Sequence, residues 1–207
     1  TVSTLRFFER LAEAKITKVI NISSAAVYGN GSYTNNKVIR PLKPVNKYGV
    51  SKLIVEGLVR ELFPKGVSLR LFNVYGSAYR VKRANKSVIE VLQSLDPKKD
   101  TFHAFSKTNY TRDYVHVLDV CSAIELTIGK FYKPDDSHNP IIETNRNCST
   151  YDIGTDKETS LIDVVTSIQP DIPIKQHHTP KGTIQRSSSW NIWSQVYLGW
   201  KPRYKFP

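Results

Sequence analysis

Two short apolar runs with a helical segment between them most constrain what this chain can fold into. Residues 18–23 read Lys-Val-Ile-Asn-Ile-Ser, and residues 67–74 read Val-Ser-Leu-Arg-Leu-Phe-Asn-Val. Both are rich in the β-branched and aliphatic residues that suit strands. Between them, Val55, Leu58, Val59 and Leu62 share one face of a helix predicted over 48–62, which Pro64 stops. Ahead of the first run, Leu5, Phe8, Leu11 and Ala12 give residues 1–15 the same helical period. Helix, strand, helix, strand at this spacing is the rhythm of parallel βα units, so the fold class is α/β.

The pattern loosens further on. Residues 29–47, with Gly, Asn and two prolines, read as a loop. A helix is predicted over 86–95, and Arg-Asp-Tyr-Val-His-Val-Leu-Asp-Val (112–120) as a short strand running into a helix that lasts to about 130. Residues 131–148 read as a polar loop, 149–155 as a strand and turn, and 159–168 as a short helix. The stretch 170–207 reads as irregular. Two unequal lobes are expected, 1–80 and 81–207, with 112–120 and 149–155 near their junction.

The chain carries 30 Lys and Arg against 18 Asp and Glu, a net charge of +12. The basic residues are scattered; the densest clusters are 81–83 and 97–99. No basic helix interleaved with stacking aromatics is present, which argues against a nucleic-acid partner. A phosphorylated ligand or an acidic assembly suits the charge equally. No apolar run approaches the ~18 residues that cross a bilayer. Cys121 and Cys148 stand far apart, without metal-ligand spacing, and read as free thiols of a reducing compartment. The cytoplasm is expected, with an organelle matrix as the alternative. The sequence has no methionine and opens within a helical pattern, so it is expected to belong to a longer or processed polypeptide.

Tyr-x-x-x-Lys occurs at Tyr33–Lys37, Tyr48–Lys52 and Tyr197–Lys201. Of these, Tyr48–Lys52 opens a convincing helix, where residues four apart share a face. The spacing suits proton transfer. A phenol has a pKa of ~10, and bringing it near neutrality requires about 4 kcal/mol. One cation at ~4 Å with an effective dielectric of ~20 supplies about that much. Ser24, at the end of a predicted parallel strand, lies where open α/β sheets face their ligands. Strand-end serines also cap helices, and Tyr/Lys pairs also line plain surfaces, so these three residues by themselves leave both readings open.

Five stretches then occur in one order: Ile-Ser-Ser-Ala-Ala-Val-Tyr-Gly (22–29), Lys-Tyr-Gly-Val-Ser-Lys (47–52), Leu-Arg-Leu-Phe-Asn-Val-Tyr-Gly (69–76), 112–120, and Tyr-Asp-Ile-Gly-Thr (151–155). Together they resemble the extended short-chain dehydrogenase/reductase family, and within it the NAD-dependent nucleotide-sugar epimerases of the UDP-glucose 4-epimerase kind. The resemblance implies a partial Rossmann-type parallel sheet over 1–80 and a smaller mixed α/β substrate lobe over 81–207. It implies an isomerase acting through a keto-sugar, with Ser24, Tyr48 and Lys52 catalytic. It also implies NAD as cofactor, NADP staying open, touched by Ser23, Tyr48, Lys52, Val74 and Tyr75. Ser24, Asn73, Arg112, Lys181 and Ser187 resemble the family's substrate contacts, Arg112 as its phosphate-binding arginine, and no metal is expected. A homodimer, or another chain supplying sheet strands, is the implied partner.

Departures from the family pattern are informative. No three glycines make the family's Gly-x-x-Gly-x-x-Gly fingerprint. Pro180-Lys181-Gly182-Thr183 stands where relatives carry an arginine and Gly-Asp, and Trp190 falls where an aspartate is usual. Ala25 and Ala26 replace the Asp-Glu pair of sugar dehydratases, which argues against elimination chemistry. The alternative reading is a non-catalytic, epimerase-like scaffold subunit of a larger assembly.

Overall fold

The computed structural model describes residues 2–30, 41–76, 86–132 and 148–206. Much of the loops expected over 29–47 and 131–148, the Tyr33–Lys37 pair and the basic cluster 81–83 lie outside the described residues. In chain order the elements are α1 (Val2–Glu13), β1 (Lys18–Ser24), a 3-10 turn (Ala25–Tyr28), α2 (Lys47–Leu62), β2 (Lys65–Leu71) and β3 (Asn73–Tyr75). There follow α3 (Val88–Ser94), β4 (Phe102–Ala104), β5 (Thr111–His116), α4 (Val117–Tyr132), β6 (Cys148–Ile153), β7 (Glu158–Ser160), α5 (Leu161–Ile168), β8 (Ile174–Gln176) and a π-helical turn (Ser194–Leu198).

The first sheet is all parallel, in the order β1-β2-β6. Ile22 stands opposite Leu69, and Leu69 opposite Tyr151. β2 is the middle strand, and its Val67 and Leu69 are fully buried. They face a core shared with Val115, Ala123, Ile153, Leu198 and Trp200. On the other face, Phe8 of α1 meets Val59 of α2 and Phe63. The Phe8 and Phe63 rings pack edge to face, 5.5 Å apart. That face of the sheet is polar beneath α2: Asn21 donates to Ser68 Oγ at 3.1 Å. β6 comes from the second half of the chain and adds a third strand to the sheet begun in the first.

A second sheet runs β3-β5-β7, with β3 parallel and β7 antiparallel to β5. β4 and β8 form a short parallel pair. α3 and α5 pack beside these strands around Ile89, Leu92, Phe102, Tyr114, Val164 and Ile172. Capping boxes start both helices, Ser87 with Glu90 and Ser160 with Asp163.

The single strand expected over 67–74 is two strands. At Phe72, whose N–H donates to Ile153 O at 3.2 Å, the chain leaves the first sheet and enters the second. The stretch 170–207 is more ordered than expected, because β8 and the π-helical turn lie within it. Its end is anchored. Trp200 is fully buried, and its indole N–H reaches Asp119 O at 2.8 Å and Ser122 Oγ at 3.1 Å. The Asp119 carboxylate accepts the N–H groups of Arg203 and Tyr204. Among the described residues no helix is long and apolar enough to cross a membrane, and Cys121 is an exposed free thiol.

Trp200→Phe keeps most of the ring and removes its donor, leaving the Asp119 carbonyl without its indole partner. A loss of about 1–3 kcal/mol in urea unfolding is expected.

Candidate active site

α2 starts on Asn46, whose side chain accepts Gly49 N–H at 2.9 Å and donates to Gly182 O at 3.1 Å. A Cβ at Gly49 would collide with the Ala26 carbonyl, so glycine is what lets the first turn of α2 press against the 3-10 turn after β1. Tyr48, 55% exposed, stands in that first turn. Lys52, one turn further on, donates from Nζ to Ile22 O at 2.8 Å and lies 5.7 Å from the centre of the Tyr48 ring. Ser24 ends β1, two residues beyond Ile22. Its Oγ accepts Ala26 N–H at 3.2 Å as the cap of the 3-10 turn, which leaves the hydroxyl proton to donate. The structure thus brings Ser24, Tyr48 and Lys52 to the C-terminal end of one parallel strand.

Ser23, expected beside the cofactor, points to the opposite face of the strand. It is 2% exposed, and its hydroxyl donates to Glu56 of α2. Glu56 forks with Arg70 of β2, Nε to Oε1 at 3.0 Å and Nη2 to Oε2 at 2.7 Å. Arg70 also donates to Tyr28 Oη at 2.7 Å, and Tyr28 donates to Asp152 at 2.6 Å. The other Asp152 oxygen accepts Trp190 N–H at 3.2 Å. Burial works against the Arg70 charge, but hydrogen bonding to Glu56 and the neighbouring Tyr28 and Glu56 oxygens more than offset it, so the guanidinium is held protonated. Burial, and then the Asp152 charge, push the Tyr28 phenol far above its ordinary range, with Arg70 pulling the other way. None of this network was expected from the sequence. Two signals were present: an acid one helical turn beyond Lys52, and an arginine within an apolar strand, which burial obliges to find a partner.

A cleft of about 670 Å³ opens between β3, β4, β5 and α3, lined by Asn73, Val74, Lys86, Phe105, Tyr110 and Arg112 among others. Asn73 donates to Asp113 O at 3.4 Å. Arg112 donates to Thr111 O at 2.8 Å and Ile184 O at 2.6 Å, and burial lowers its proton affinity, with Tyr114 and Tyr110 opposing. Asp113 faces the other way, toward the turn after β6 and Ser189. Its carboxylate accepts both the N–H and the hydroxyl of Thr155, the N–H of Asp156, and both the N–H and the hydroxyl of Ser189. At the cleft wall Phe105 is 57% exposed and stacks on His177, 4.8 Å away.

The remaining candidates are dispersed. Tyr75 packs edge-on against His116 and Phe206, 5.1 and 5.2 Å away. Its phenol is pushed up by burial and then by Asp119. Lys181 is exposed, and Ser187 is buried in the segment that Arg112 ties down through Ile184. Neither lines the cleft.

The profile of the family described as NAD dependent epimerase/dehydratase matches residues 1–140, and the chain belongs to that family. A bifunctional UDP-glucose 4-epimerase and UDP-xylose 4-epimerase of Arabidopsis thaliana is 24% identical over 225 residues, covering 98% of this chain and 62% of that protein. A putative UDP-glucose 4-epimerase of Methanocaldococcus jannaschii is 28% identical over 211 residues, covering 97% of this chain and 63% of its own. The chain therefore spans about three fifths of these relatives. Among solved structures, MoeE5 in complex with UDP-glucuronic acid and NAD superposes with a TM-score of 0.79 at 23% identity, over 99% of this chain and 66% of that one. UDP-glucose 4-epimerase of Thermotoga maritima does so with a TM-score of 0.75 at 23% identity, over 98% and 63%. These likenesses establish the fold, a Rossmann-like α/β architecture.

The raised phenols set an alkaline limit. Below about pH 10, the unfolded value, both states keep these tyrosines protonated; above it the unfolded chain releases protons that the folded one retains, so stability falls with rising pH. Tyr114, raised by burial against the pull of Arg112, adds to the effect. Tyr28→Phe should be less stable at neutral pH and lose less stability above about pH 10 than the unsubstituted protein. Thermal melts by circular dichroism check both.

Proposed function

We propose that this chain carries the proton-transfer group and the nucleotide-sugar cleft of an NAD-dependent epimerase. The observation that carries the reading is the Lys52 ammonium held between the Ile22 carbonyl and the Tyr48 ring at the end of β1, next to Ser24. Tyr48 accepts the proton of the sugar hydroxyl at the carbon to be inverted, and returns it after the keto-sugar has presented its other face. Ser24 donates a hydrogen bond to the same oxygen, and Lys52 holds its ammonium beside the Tyr48 ring. Ala25 and Ala26 offer no acid or base for elimination, which favours epimerisation over dehydration.

The residues fit a dinucleotide. An ammonium has three N–H donors, and one of those on Lys52 goes to Ile22; the others suit ribose hydroxyls. Val74, 36% exposed in β3, offers an apolar contact for a ring. When bound, NAD supplies the reversible oxidation of the sugar carbon. Arg112 and Asn73 suit the diphosphate, and the exposed Phe105 ring suits a flat base. In this reading residues 1–80, joined by β6, are the C-terminal part of a cofactor domain. Residues 81–207 are mainly the substrate lobe, with 112–120 and 149–155 at the junction. Among the described residues β1 has β2 as its neighbour; a homodimer partner or an additional chain supplying strands suits its other edge. The free thiol of Cys121 suits the cytoplasm or another reducing compartment.

Three outcomes follow for the native polypeptide. Denaturing it should release a nicotinamide dinucleotide, detected by enzymatic cycling. Tyr48→Phe should slow interconversion of UDP-glucose and UDP-galactose by a factor on the order of 10²–10⁴ with little change in binding; a rate equal to the unsubstituted protein's would remove Tyr48 from the mechanism. Arg112→Ala should weaken UDP binding in calorimetry by roughly 1.5–3 kcal/mol.

A further inference from the structure

We infer that Glu56 and Arg70 are positioning residues for the proton-transfer group: their buried pair sets the rotation and register of α2 on β1, and so the placement of Tyr48 beside Ser24. The inference rests on the reading of Tyr48 as the proton acceptor.

Tyr48, Lys52 and Glu56 follow one another at four-residue steps and share a helix face. Two of them grip consecutive residues of β1. Lys52 donates to the Ile22 carbonyl, and Glu56 accepts the Ser23 hydroxyl. Ser24 is the next residue along. Glu56 is then locked to β2 by Nε and Nη2 of Arg70, whose side chain is 12% exposed against 6% for the acid. Arg70 lies over the Tyr28 ring, 4.8 Å from its centre, as well as donating to its oxygen. Tyr28 ends the 3-10 turn that Ser24 caps. One network therefore fixes the segments on both sides of Ser24 and the helix that carries Tyr48.

Stability alone does not call for this arrangement. A buried ion pair adds little over well-packed apolar side chains, and α2 already has such packing in Val59. What a forked, charged hydrogen bond adds is direction. Apolar contacts let a helix slide or roll on a sheet by a fraction of an ångström, whereas two parallel N–H···O bonds do not. Proton transfer is sensitive on that scale, since a displacement of ~1 Å can cost about a hundredfold in rate.

The test uses the native polypeptide labelled with tyrosine carrying ¹³C at Cζ, the Tyr48 resonance being assigned with Tyr48→Phe. Glu56→Gln and Arg70→Lys alter the pair at nearly constant side-chain volume. Each is expected to move the Tyr48 resonance in the absence of substrate. Each is also expected to lower kcat on UDP-galactose by roughly tenfold to a hundredfold while leaving KM nearly unchanged. Lys99→Gln, which breaks an exposed pair with Asp96, should do neither. A Tyr48 resonance that stays in place in both variants while their melting temperature falls overturns the inference and leaves the pair a structural one. If the unsubstituted protein fails to turn over UDP-galactose but the resonance moves in both variants, the positioning stands and the epimerase reading is what fails.

Discussion

Arg70 is a charged side chain in the middle strand of a parallel sheet, and much of the surrounding architecture follows from keeping that charge paired. A guanidinium in such a place is tolerable when its donors are filled. Glu56 fills two of them and Tyr28 a third. Each partner recruits another in turn: Ser23 on the Glu56 side, Asp152 and the Trp190 amide on the Tyr28 side. The polar face of the first sheet beneath α2 follows from this. Asn21, Ser23, Ser68 and Arg70 replace the apolar side chains that a fully buried parallel strand would ordinarily present.

Asp113 does between the two sheets what Arg70 does within the first. On β5 it alternates with Arg112, so the two charged neighbours face opposite ways. Arg112 turns to the cleft and Asp113 to the turn after β6 and to Ser189. The five donors gathered on one carboxylate bind segments far apart in the chain. Arg112 stands at the cleft wall.

Legibility in the sequence divides along a physical line. The helices with a clear apolar period, α1, α2 and α4, and strands β1 and β6 were readable, because burial of one face imposes the pattern locally. The Tyr48–Lys52 pair was readable for the same reason. The break at Phe72 was not, since one apolar run serves equally as one strand or as two in different sheets. The three-residue strands β4, β7 and β8 are defined by their partners rather than by their own residues. Alternation along β1 places Ser23 and Ser24 on opposite faces, yet the acceptor of Ser23 lies 33 residues away, and Tyr28 meets Asp152 across 124. Such pairings are set by topology and have no local signature. The family resemblance supplied the positions of Arg112, Lys181 and Ser187, but not that Arg112 is at the cleft while the other two stand apart from it.

The anchorage of Trp200 bears on the order in which the molecule can be assembled. Its indole sits in the same core as Val67, Leu69 and Ala123, so that core stays open on one side until the segment carrying Trp200 arrives. During synthesis the early βα units therefore form against an incomplete interior, at ~5–20 residues per second, with apolar surface uncovered for many seconds. The helix caps and the paired charges near β1 can form early, but the sealing of the interior is a late event. The Asp119 carboxylate gathers the backbone just beyond Trp200 and holds that segment against the core.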